Sequence, residues 1–300
     1  MTRIVAALGG NALLRRDEPQ EAHVQEFNVE SACRAIAPLA ADHQLVVTHG
    51  SGPQVGILAA RAEAFPGSWH ESLDVIGAET DGMIGYLLAR ELGNQLGDRP
   101  VATLLTQIEV ALDDPAFDTP HKPIGPVLDP DRARTLQAER GWTMVAEDRG
   151  WRRIVASPEP RRIVEIESVR TLMRAGHVVV CAGGGGVPVH RDAGGTLHGV
   201  EAVVDKDLSA SMLAIDLMAD TLLLLTDTRC VYRDWPTCTD PIWELNPTEA
   251  RRLDLPPGSM GPKVEAAARF VEQAHGQAAI GRVEDVTDIL QGATGTWIRP

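Results

Sequence analysis

The chain has almost no lysine, and the few lysines that it has are the first indication of its chemistry. Of 28 basic residues only Lys122, Lys206 and Lys263 are lysine, and all others are arginine. Arginine carries a planar fork of donors, whereas lysine carries a compact ammonium that fits a tight pocket beside a small anion. Coding bias with three accidental survivors would give the same count. The neighbours of each lysine decide between these explanations.

The sequence also lacks long hydrophobic runs and metal-type cysteine spacing. No apolar stretch approaches the roughly 20 residues that span a bilayer. The start, MTRIVAALGGNALL, indicates a strand and a glycine turn and not a signal peptide. Four scattered cysteines form no CxxC or Cys/His pattern, which predicts reduced, mostly buried thiols and no protein-held metal. We therefore expect a cytoplasmic protein without a membrane span.

Positive charge is scarce as well. The formal net charge is −14 and no basic stripe is present, which argues against nucleic acid as a partner. An acidic surface repels anionic substrates, so a site for a small anion needs its own local positive charge. The three lysines could supply that charge.

Short apolar runs alternate with helical patterns along the 300 residues, which suffice for one large or two medium domains. The alternation predicts an α/β fold in which parallel strands are joined by crossover helices on both faces of a sheet. The strands are predicted at Arg3–Leu8, Gln44–Thr48, Val101–Gln107, His177–Ala182, Thr221–Thr226 and Gln277–Ile280. The helices are predicted at Asn28–Ala41, Pro53–Ala64, Leu73–Leu96, Val164–Ala175, Leu208–Met218 and Pro262–His275.

One stretch interrupts this alternation. Residues 113–160 are rich in proline and charge and include DDPAFDTPHKPIGPV and RGWRRIVASPEP. The stretch is too long for a simple loop, so it predicts an inserted subdomain or lid, with Lys122 inside it. A surface insertion that serves only solubility or dimer contacts is the alternative.

Four glycine turns follow apolar runs, at the edge where an open α/β sheet binds its ligands. They are LGGNA (8–12), HGSGPQVG (49–56), CAGGGGVP (181–188) and GSMGPK (258–263). Glycine lets the backbone approach a ligand closely, and a following helix N-terminus can hold a phosphate. Neither GxxxxGK[ST] nor GxGxxG occurs. The pattern therefore indicates phosphoryl chemistry on a different open-sheet scaffold.

These segments carry a resemblance that runs from VAALGGNAL near the start to AAIGRVEDVTDIL near the end. LDVIGAETDGMIGYLL, ATLLTQIEV, KPIGPV, SPEPRRIVEIESVR, CAGGGGVPV, GVEAVVDKDLSA, LLTDTRCVY and GSMGPKVEAAARF follow in order between them. The sequence resembles the carbamate kinases, a branch of the amino acid kinase family, and the KPIGP and AGGGG…DKD elements are specific to that branch.

The resemblance implies a three-layer α/β/α sandwich with a mainly parallel central sheet and a small protruding subdomain, acting as a homodimer. It also implies reversible phosphoryl transfer between ATP/ADP and carbamate/carbamoyl phosphate with Mg²⁺, making ATP in arginine catabolism. Two alternatives remain: a sister kinase of the same fold with another small acid as substrate, and a non-catalytic ligand-binding module.

The resemblance also implies roles for single residues. Lys206 and Lys263 would bracket the transferred group, Asp207 would hold their ammonium groups, and Lys122 would cover the site. Capping of the following helix is the alternative for Asp205 and Asp207, and a solvated first-turn position is the alternative for Lys263. His49 is expected to be structural and not catalytic.

The remaining implied contacts fall into two groups. Those of the carbamoyl phosphate end are Gly9, Gly10, Asn11, Gly50, Ser51 and Gly52. Those of the nucleotide side are Asp227, Tyr232 and Met260. Ser51 departs from the family, which more often has asparagine there. Serine is shorter but can still donate a hydrogen bond.

Overall fold

The structure is a computed structural model that describes residues 1–14, 18–19, 21–64, 72–147, 150–255 and 260–300. The strands are β1 Thr2–Leu8, β2 His43–His49, β3 Val101–Thr103, β4 Gln107–Glu109, β5 Lys122–Leu128, β6 Thr143–Glu147, β7 Gly150–Val155, β8 Arg162–Ile163, β9 Val178–Val180, β10 Val187–Arg191, β11 Leu197–Gly199, β12 Thr221–Thr226, β13 Val231–Tyr232, β14 Pro241–Ile242, β15 Glu244–Leu245, β16 Gln277–Arg282 and β17 Thr296–Ile298. The helices are α1 Gly10–Leu13, α2 Ala22–Ile36, α3 Leu39–Asp42, α4 Gly52–Ala64, α5 Leu73–Leu96, α6 Pro130–Arg140, α7 Ile166–Arg174, α8 Lys206–Asp216, α9 Pro247–Ala250, α10 Met260–Ala274 and α11 Val286–Leu290. In the described ranges no helix has the length and apolar character needed to cross a membrane.

An eight-stranded sheet forms the centre, in the order β15-β17-β16-β12-β1-β2-β9-β3. Every neighbouring pair is parallel except β16 with β17. β12, in the middle, is buried along its whole length, TLLLLT. Such a continuous apolar run is typical of a strand covered on both faces.

Alternate residues of the sheet enter two separate cores. Val5 and Ala7 of β1 pack with α7, α8 and α10 on one face. Ile4, Ala6 and Leu8 of the same strand pack with α2, α5 and α11 on the other face. Because side chains alternate along a strand, one strand supplies both cores. The predicted three-layer α/β/α arrangement is confirmed.

The predicted strand over 101–107 is wrong in its extent. β3 ends at Thr103, and the chain then leaves the main sheet to form β4 in a four-stranded sheet of order β11-β10-β4-β8. An apolar run cannot show that its second half pairs with different partners. This change of sheet places Thr106 beside the loop after β9, where its hydroxyl accepts from the Ala182 N–H at 3.0 Å.

Of the six predicted helices only Leu73–Leu96 keeps its limits, and the differences at 28–41 and 208–218 have structural reasons. The helix expected at 28–41 begins at Ala22 and ends at Ile36, and Pro38 precedes the short α3. Proline has no N–H and does not continue a helix from within. α8 begins at Lys206, two residues before the predicted start. This second shift matters because it places Lys206 and Asp207 in a first helical turn.

Residues 122–155 form a small unit with its own sheet, of order β5-β7-β6, and its own helix, α6. Asp129 caps this helix by accepting hydrogen bonds from two N–H groups, and Pro130 occupies its first position. Ala133, Leu136 and Met144 form a separate buried cluster there. β5 meets the main body at α4, since a Cβ built on Gly56 would lie 2.9 Å from Gly125 Cα.

Candidate active site

Glycine loops gather at the carboxyl ends of four adjacent strands. Gly9 and Gly10 follow β1, residues 50–52 follow β2, residues 183–186 follow β9 and Asp227 follows β12. These four strands are neighbours in the order β12-β1-β2-β9. Three of the four predicted glycine turns therefore meet at one sheet edge. The fourth, at 258–263, is described only from Met260, and its first two residues lie outside the described residues.

The glycine loops are packed too closely to accept side chains. A Cβ on Gly50 would lie 2.7 Å from Gly10 N and 2.9 Å from Lys206 Cδ. A Cβ on Gly184 would lie 2.5 Å from Ser51 Oγ. The loops after β1, β2 and β9 are thus in contact with one another, and the stem of Lys206 lies against them.

Two lysines share one buried aspartate beside these loops. Lys206 Nζ donates to Asp207 Oδ1 at 2.6 Å, and Lys263 Nζ donates to Asp207 Oδ2 at 3.0 Å. Asp207 comes from the first turn of α8 and Lys263 from that of α10, so two helices hold the cluster. The cluster sets two ammonium groups against one carboxylate, and Asp205 and Asp227 lie near enough to act on it electrostatically.

Burial and charge compete at each member of this cluster. Burial alone would raise the pKa of Asp207, but the charges of Lys206 and Lys263 reverse that effect and hold the pKa well below its ordinary value. Burial lowers the pKa of Lys206, and Asp207 offsets this only in part. Burial opposes the charge of Lys263 too, but Asp207 and its hydrogen bond raise that pKa overall. The carboxylate is therefore firmly ionised.

The third lysine comes from the small unit. Lys122 Nζ donates to Asp205 Oδ2 at 2.6 Å across 83 residues of sequence. Asp205 Oδ1 meanwhile caps α8, accepting from Asp207 N at 2.9 Å and Leu208 N at 3.3 Å. The capping alternative for Asp205 is confirmed, and its second oxygen has a further role that the sequence did not suggest.

The lysine count now has a structural explanation. All three lysines make ion pairs with Asp205 or Asp207, which stand on either side of Lys206. The solvated alternative for Lys263 is wrong, because the residue is only 8% exposed.

Of the residues expected on the nucleotide side, some lie near the lysine cluster and others do not. Asp227 lies at the end of β12, and its charge helps to raise the pKa of Lys263. Met260 is buried one turn before Lys263 in α10. Tyr232 lies on β13, where its ionisable neighbours are Cys230, Cys238 and Arg229 and not the lysines. The backbone of Asn11 belongs to α1, but its side chain is outside the described part of the structure.

Sequence reasoning missed the partner of His49. The His49 side chain is fully buried, as expected of a structural histidine, and its Nε2 lies 3.3 Å from Oδ1 of the equally buried Asp81. Asp81 stands in the middle of α5, 32 positions further along the chain. Cys33, Cys181 and Cys230 are buried free thiols, as predicted.

Comparison with known proteins agrees with this fold and site. The sequence pattern of the Amino acid kinase family matches residues 2–281. The chain therefore belongs to the amino acid kinase family. Relatives that match it over nearly its whole length are carbamate kinases. The one from Rhizobium meliloti is 49% identical over 99% of this chain and 93% of its own length, and the one from Escherichia coli is 45% identical over 99% of both.

A solved structure extends the likeness to three dimensions. Carbamate kinase from Giardia lamblia, bound to AMP-PNP, superimposes with a TM-score of 0.90 at 35% identity, over 99% of this chain and 98% of that one. The agreement in fold spans the whole chain, including the small unit around Lys122.

Proposed function

We propose that this protein is a phosphotransferase that catalyses reversible transfer between ATP/ADP and carbamate/carbamoyl phosphate. The observation that carries the proposal is the Lys206–Asp207–Lys263 cluster, which lies against glycine loops at the carboxyl ends of adjacent parallel strands. Full-length relatives bear the name of this activity, and the Giardia relative binds an ATP analogue.

Phosphoryl transfer requires positioning and neutralisation of charge on the equatorial oxygens more than covalent help. In the kinase direction a carbamate oxygen attacks the γ-phosphorus, and the bond to the β–γ bridging oxygen breaks with its electrons remaining on ADP. Lys206 and Lys263 neutralise the charge that develops on the migrating group. Carbamate is already an anionic nucleophile, so no general base is required.

Asp207 has the role of a fixed counter-ion. Its two oxygens each hold one ammonium group, and the low pKa keeps the carboxylate ionised throughout the working pH range. Donors that are fixed before the reaction need no reorganisation during it. The loops that hold Gly9, Gly10, Asn11, Gly50, Ser51 and Gly52 form the carbamoyl phosphate end of the site.

The nucleotide occupies the side of Asp227, Tyr232 and Met260 and arrives as its Mg²⁺ complex. Mg²⁺ generally retains waters and binds through substrate phosphates with one or two carboxylates. Asp227 is the carboxylate that stands at the sheet edge.

Residues 113–160 act as a protruding lid that carries Lys122. The separate sheet and cluster within this stretch, and the ion pair that joins Lys122 to Asp205, support that role. Ile124 and Val155 of the same unit also pack against Val55, Leu73 and Ile76 of the main body. A closed lid excludes water and adds a cation to the site. Protease cleavage between residues 113 and 160 should slow when ADP and carbamoyl phosphate are both bound, and unchanged cleavage would contradict a moving lid.

The working unit is a homodimer formed across α5 and β3. Val75, Met83 and Tyr86 expose apolar side chains along one face of α5, and the exposed Leu105 lies near Gly82 of that helix. β3 is the last strand at that end of the main sheet. Light scattering should show two chains for the wild type and one for Met83→Glu/Tyr86→Glu. Met218→Glu, an exposed apolar position elsewhere, is the control and should remain dimeric.

The physiological setting is the cytoplasm, where the enzyme makes ATP from carbamoyl phosphate in arginine catabolism. Buried free thiols suit that reducing compartment. A coupled assay tests the reaction. ATP should form from ADP and carbamoyl phosphate only with a divalent metal. In the reverse direction, a better rate with acetylglutamate, aspartate or a nucleoside monophosphate than with carbamate would overturn the substrate assignment.

A further inference from the structure

A buried histidine and a buried aspartate lie directly beneath the loop after β9. The His49 and Asp81 side chains are 0% and 1% exposed. A Cβ built on Gly183 would overlap both Asp81 Oδ1 and His49 Nε2. The backbone of Gly183 thus lies directly against this pair, which leaves no room for a side chain there.

His49 also lies at the start of the other phosphate-side loop. It is the last residue of β2, and its Nδ1 is 3.4 Å from the Gly50 carbonyl oxygen. Both ring nitrogens thus face acceptors, since Nε2 faces Asp81 Oδ1. The imidazole therefore lies between the start of the loop at 50–52 and the carboxylate of Asp81.

The loop that rests on this pair is otherwise held in a strained shape. Ala182 has a φ of 53°, a left-handed conformation that costs a non-glycine residue energy. Its carbonyl accepts from Thr48 Oγ1 at 2.8 Å, and its N–H donates to Thr106 Oγ1 at 3.0 Å. Those bonds fix the loop at its entry, and the His49–Asp81 pair supports the following residue from below.

Asp81 depends strongly on His49. Within the described residues neither carboxylate oxygen of Asp81 has an aligned hydrogen-bond partner, and neither has His49 Nε2, which approaches Asp81 Oδ1 at 3.3 Å. The nearby Cys181 is no counter-ion, because burial, and then the charges of Asp81 and Glu165, raise the pKa of its thiol and keep it neutral. A buried charge without a partner is strongly destabilising.

We propose that His49 and Asp81 form a buried positioning pair that sets the loops at 50–52 and 183–186 against each other for binding of carbamoyl phosphate. Neither side chain touches substrate. The pair acts through the backbone of Gly50 and Gly183 and through Ser51, whose Oγ lies against Gly184. The inference rests on the proposed function, because it assigns these loops to the carbamoyl phosphate end.

The test is a double-substitution cycle. His49→Gln leaves a neutral amide beside the buried carboxylate, so we expect the KM for carbamoyl phosphate to rise by about tenfold or more. The KM for ADP should change by less than about twofold, because ADP binds on the other side of the site. Adding Asp81→Asn removes the unbalanced charge and should recover most of the loss, to within about threefold of wild type.

The control is Thr80→Val, which removes a buried polar group next to Asp81. Among the described residues, the Thr80 hydroxyl donates to carbonyls of its own helix, at Ile76 and Gly77. Whatever its effect on stability, Thr80→Val should leave the KM values for carbamoyl phosphate and ADP unchanged. A His49→Gln/Asp81→Asn protein that binds carbamoyl phosphate worse than His49→Gln alone, or equal effects on ADP and carbamoyl phosphate, would overturn the positioning role.

Amide hydrogen exchange gives a readout that does not depend on substrate. Exchange at residues 182–187 should accelerate in His49→Gln and recover in the double variant, while Thr80→Val matches the wild type. Unchanged exchange in His49→Gln overturns the pair. A wild-type protein without activity on carbamoyl phosphate would instead overturn the substrate assignment, and the exchange comparison would still decide whether the pair supports the loop.

Discussion

Lysines in two regions of the molecule are held in different ways. Lys206 and Lys263 share the two oxygens of Asp207, and the three side chains are 14%, 11% and 5% exposed. Lys122 belongs to a separate three-stranded sheet, reaches Asp205 with a single pair, and is 27% exposed. The first two are fixed by main-sheet helices, whereas the third depends on where the small sheet lies.

This difference separates two contributions to one site. A cation within a buried cluster is oriented before substrate arrives and stabilises developing charge without reorganisation. Under the lid proposal, Lys122 contributes only in the closed arrangement, so its effect falls on binding and commitment of the substrate. Substitutions in the two regions should therefore differ in the size of their effect on activity and in the kinetic parameter that they change.

The largest effect is expected at Asp207. Asp207→Asn leaves two buried ammonium groups without a full counter-charge, and breaking a buried pair in this way costs about 3 to 5 kcal/mol. Denaturant unfolding at neutral pH measures the loss. Asp131→Asn, at an exposed pair on α6, is the control and should change stability by less than about 0.5 kcal/mol. A loss below about 1 kcal/mol for Asp207→Asn would contradict the buried-cluster description.

The same variant predicts a pH dependence. Because folding lowers the pKa of Asp207, its ionised form stabilises the protein at pH values above the unfolded pKa of about 3.9. That contribution decreases as pH falls below this value toward the folded pKa. The stability gap between wild type and Asp207→Asn should therefore be constant from pH 7 to 5 and narrow toward pH 3. A gap that narrows near neutrality would contradict the lowered pKa.

Next in size are the core lysines. Lys206→Arg and Lys263→Arg keep the charge but replace a compact cation with a bulky fork. Each should lower kcat by at least ~100-fold, or about 2.7 kcal/mol of transition-state stabilisation, with folding intact. Steady-state ATP formation measures the loss of kcat, and circular dichroism checks that the fold is intact. Near-normal turnover in either variant would indicate that coding bias, and not catalysis, explains the lysine at that position.

A smaller effect is expected at Lys122. Lys122→Ala removes the lid cation, and activity should fall by about 10- to 30-fold, or about 1.4 to 2 kcal/mol. The KM for carbamoyl phosphate should rise more than that for ADP, since the nucleotide lies on the core side. Initial rates with each substrate varied in turn provide the measurement. Equal weakening of both substrates would make Lys122 an ordinary surface residue.

The smallest effect concerns Asp205, which joins the two regions. Asp205→Asn keeps an N-cap side chain but loses the charge that holds Lys122, so activity should fall a few-fold with stability within about 0.5 kcal/mol of wild type. Asp205→Ala loses the cap as well and should cost about 1 kcal/mol more. Measuring thermal unfolding and activity for both variants distinguishes the role of Asp205 Oδ1, which caps α8, from that of Asp205 Oδ2, which holds Lys122. Identical stability for both variants would show that the cap contributes nothing.

Local pattern was enough to predict the fold class and the edge of the sheet that carries the site. Strands buried on both faces have continuous apolar runs, as in β12, and glycine turns after such runs fall at the same sheet edge when the strands are parallel. The scarcity of lysine also pointed to the three cations. A residue type that the chain otherwise avoids can be recognised from composition alone.

The limits of the helices and strands, and the pairing of the strands, depend on tertiary contacts and not on the local sequence pattern. The run at 101–107 divides between two sheets because its halves find different partners, which an apolar pattern does not encode. Likewise α8 begins at Lys206 because Asp205 caps it, and only this start directs Lys206 and Asp207 together into the site.

The sequence by itself determined an α/β chain with three exceptional lysines and phosphate-type glycine turns, since periodicity, composition and motif spacing are local properties. Its kinase character was implied by the family resemblance. Only the tertiary structure decided that Lys122 meets Asp205, that one aspartate serves both core lysines, and that His49 rests against Asp81 beneath Gly183. Each of these contacts except Lys206–Asp207 joins residues far apart in the chain. Their distances depend on strand order and helix packing, and no local pattern contains either.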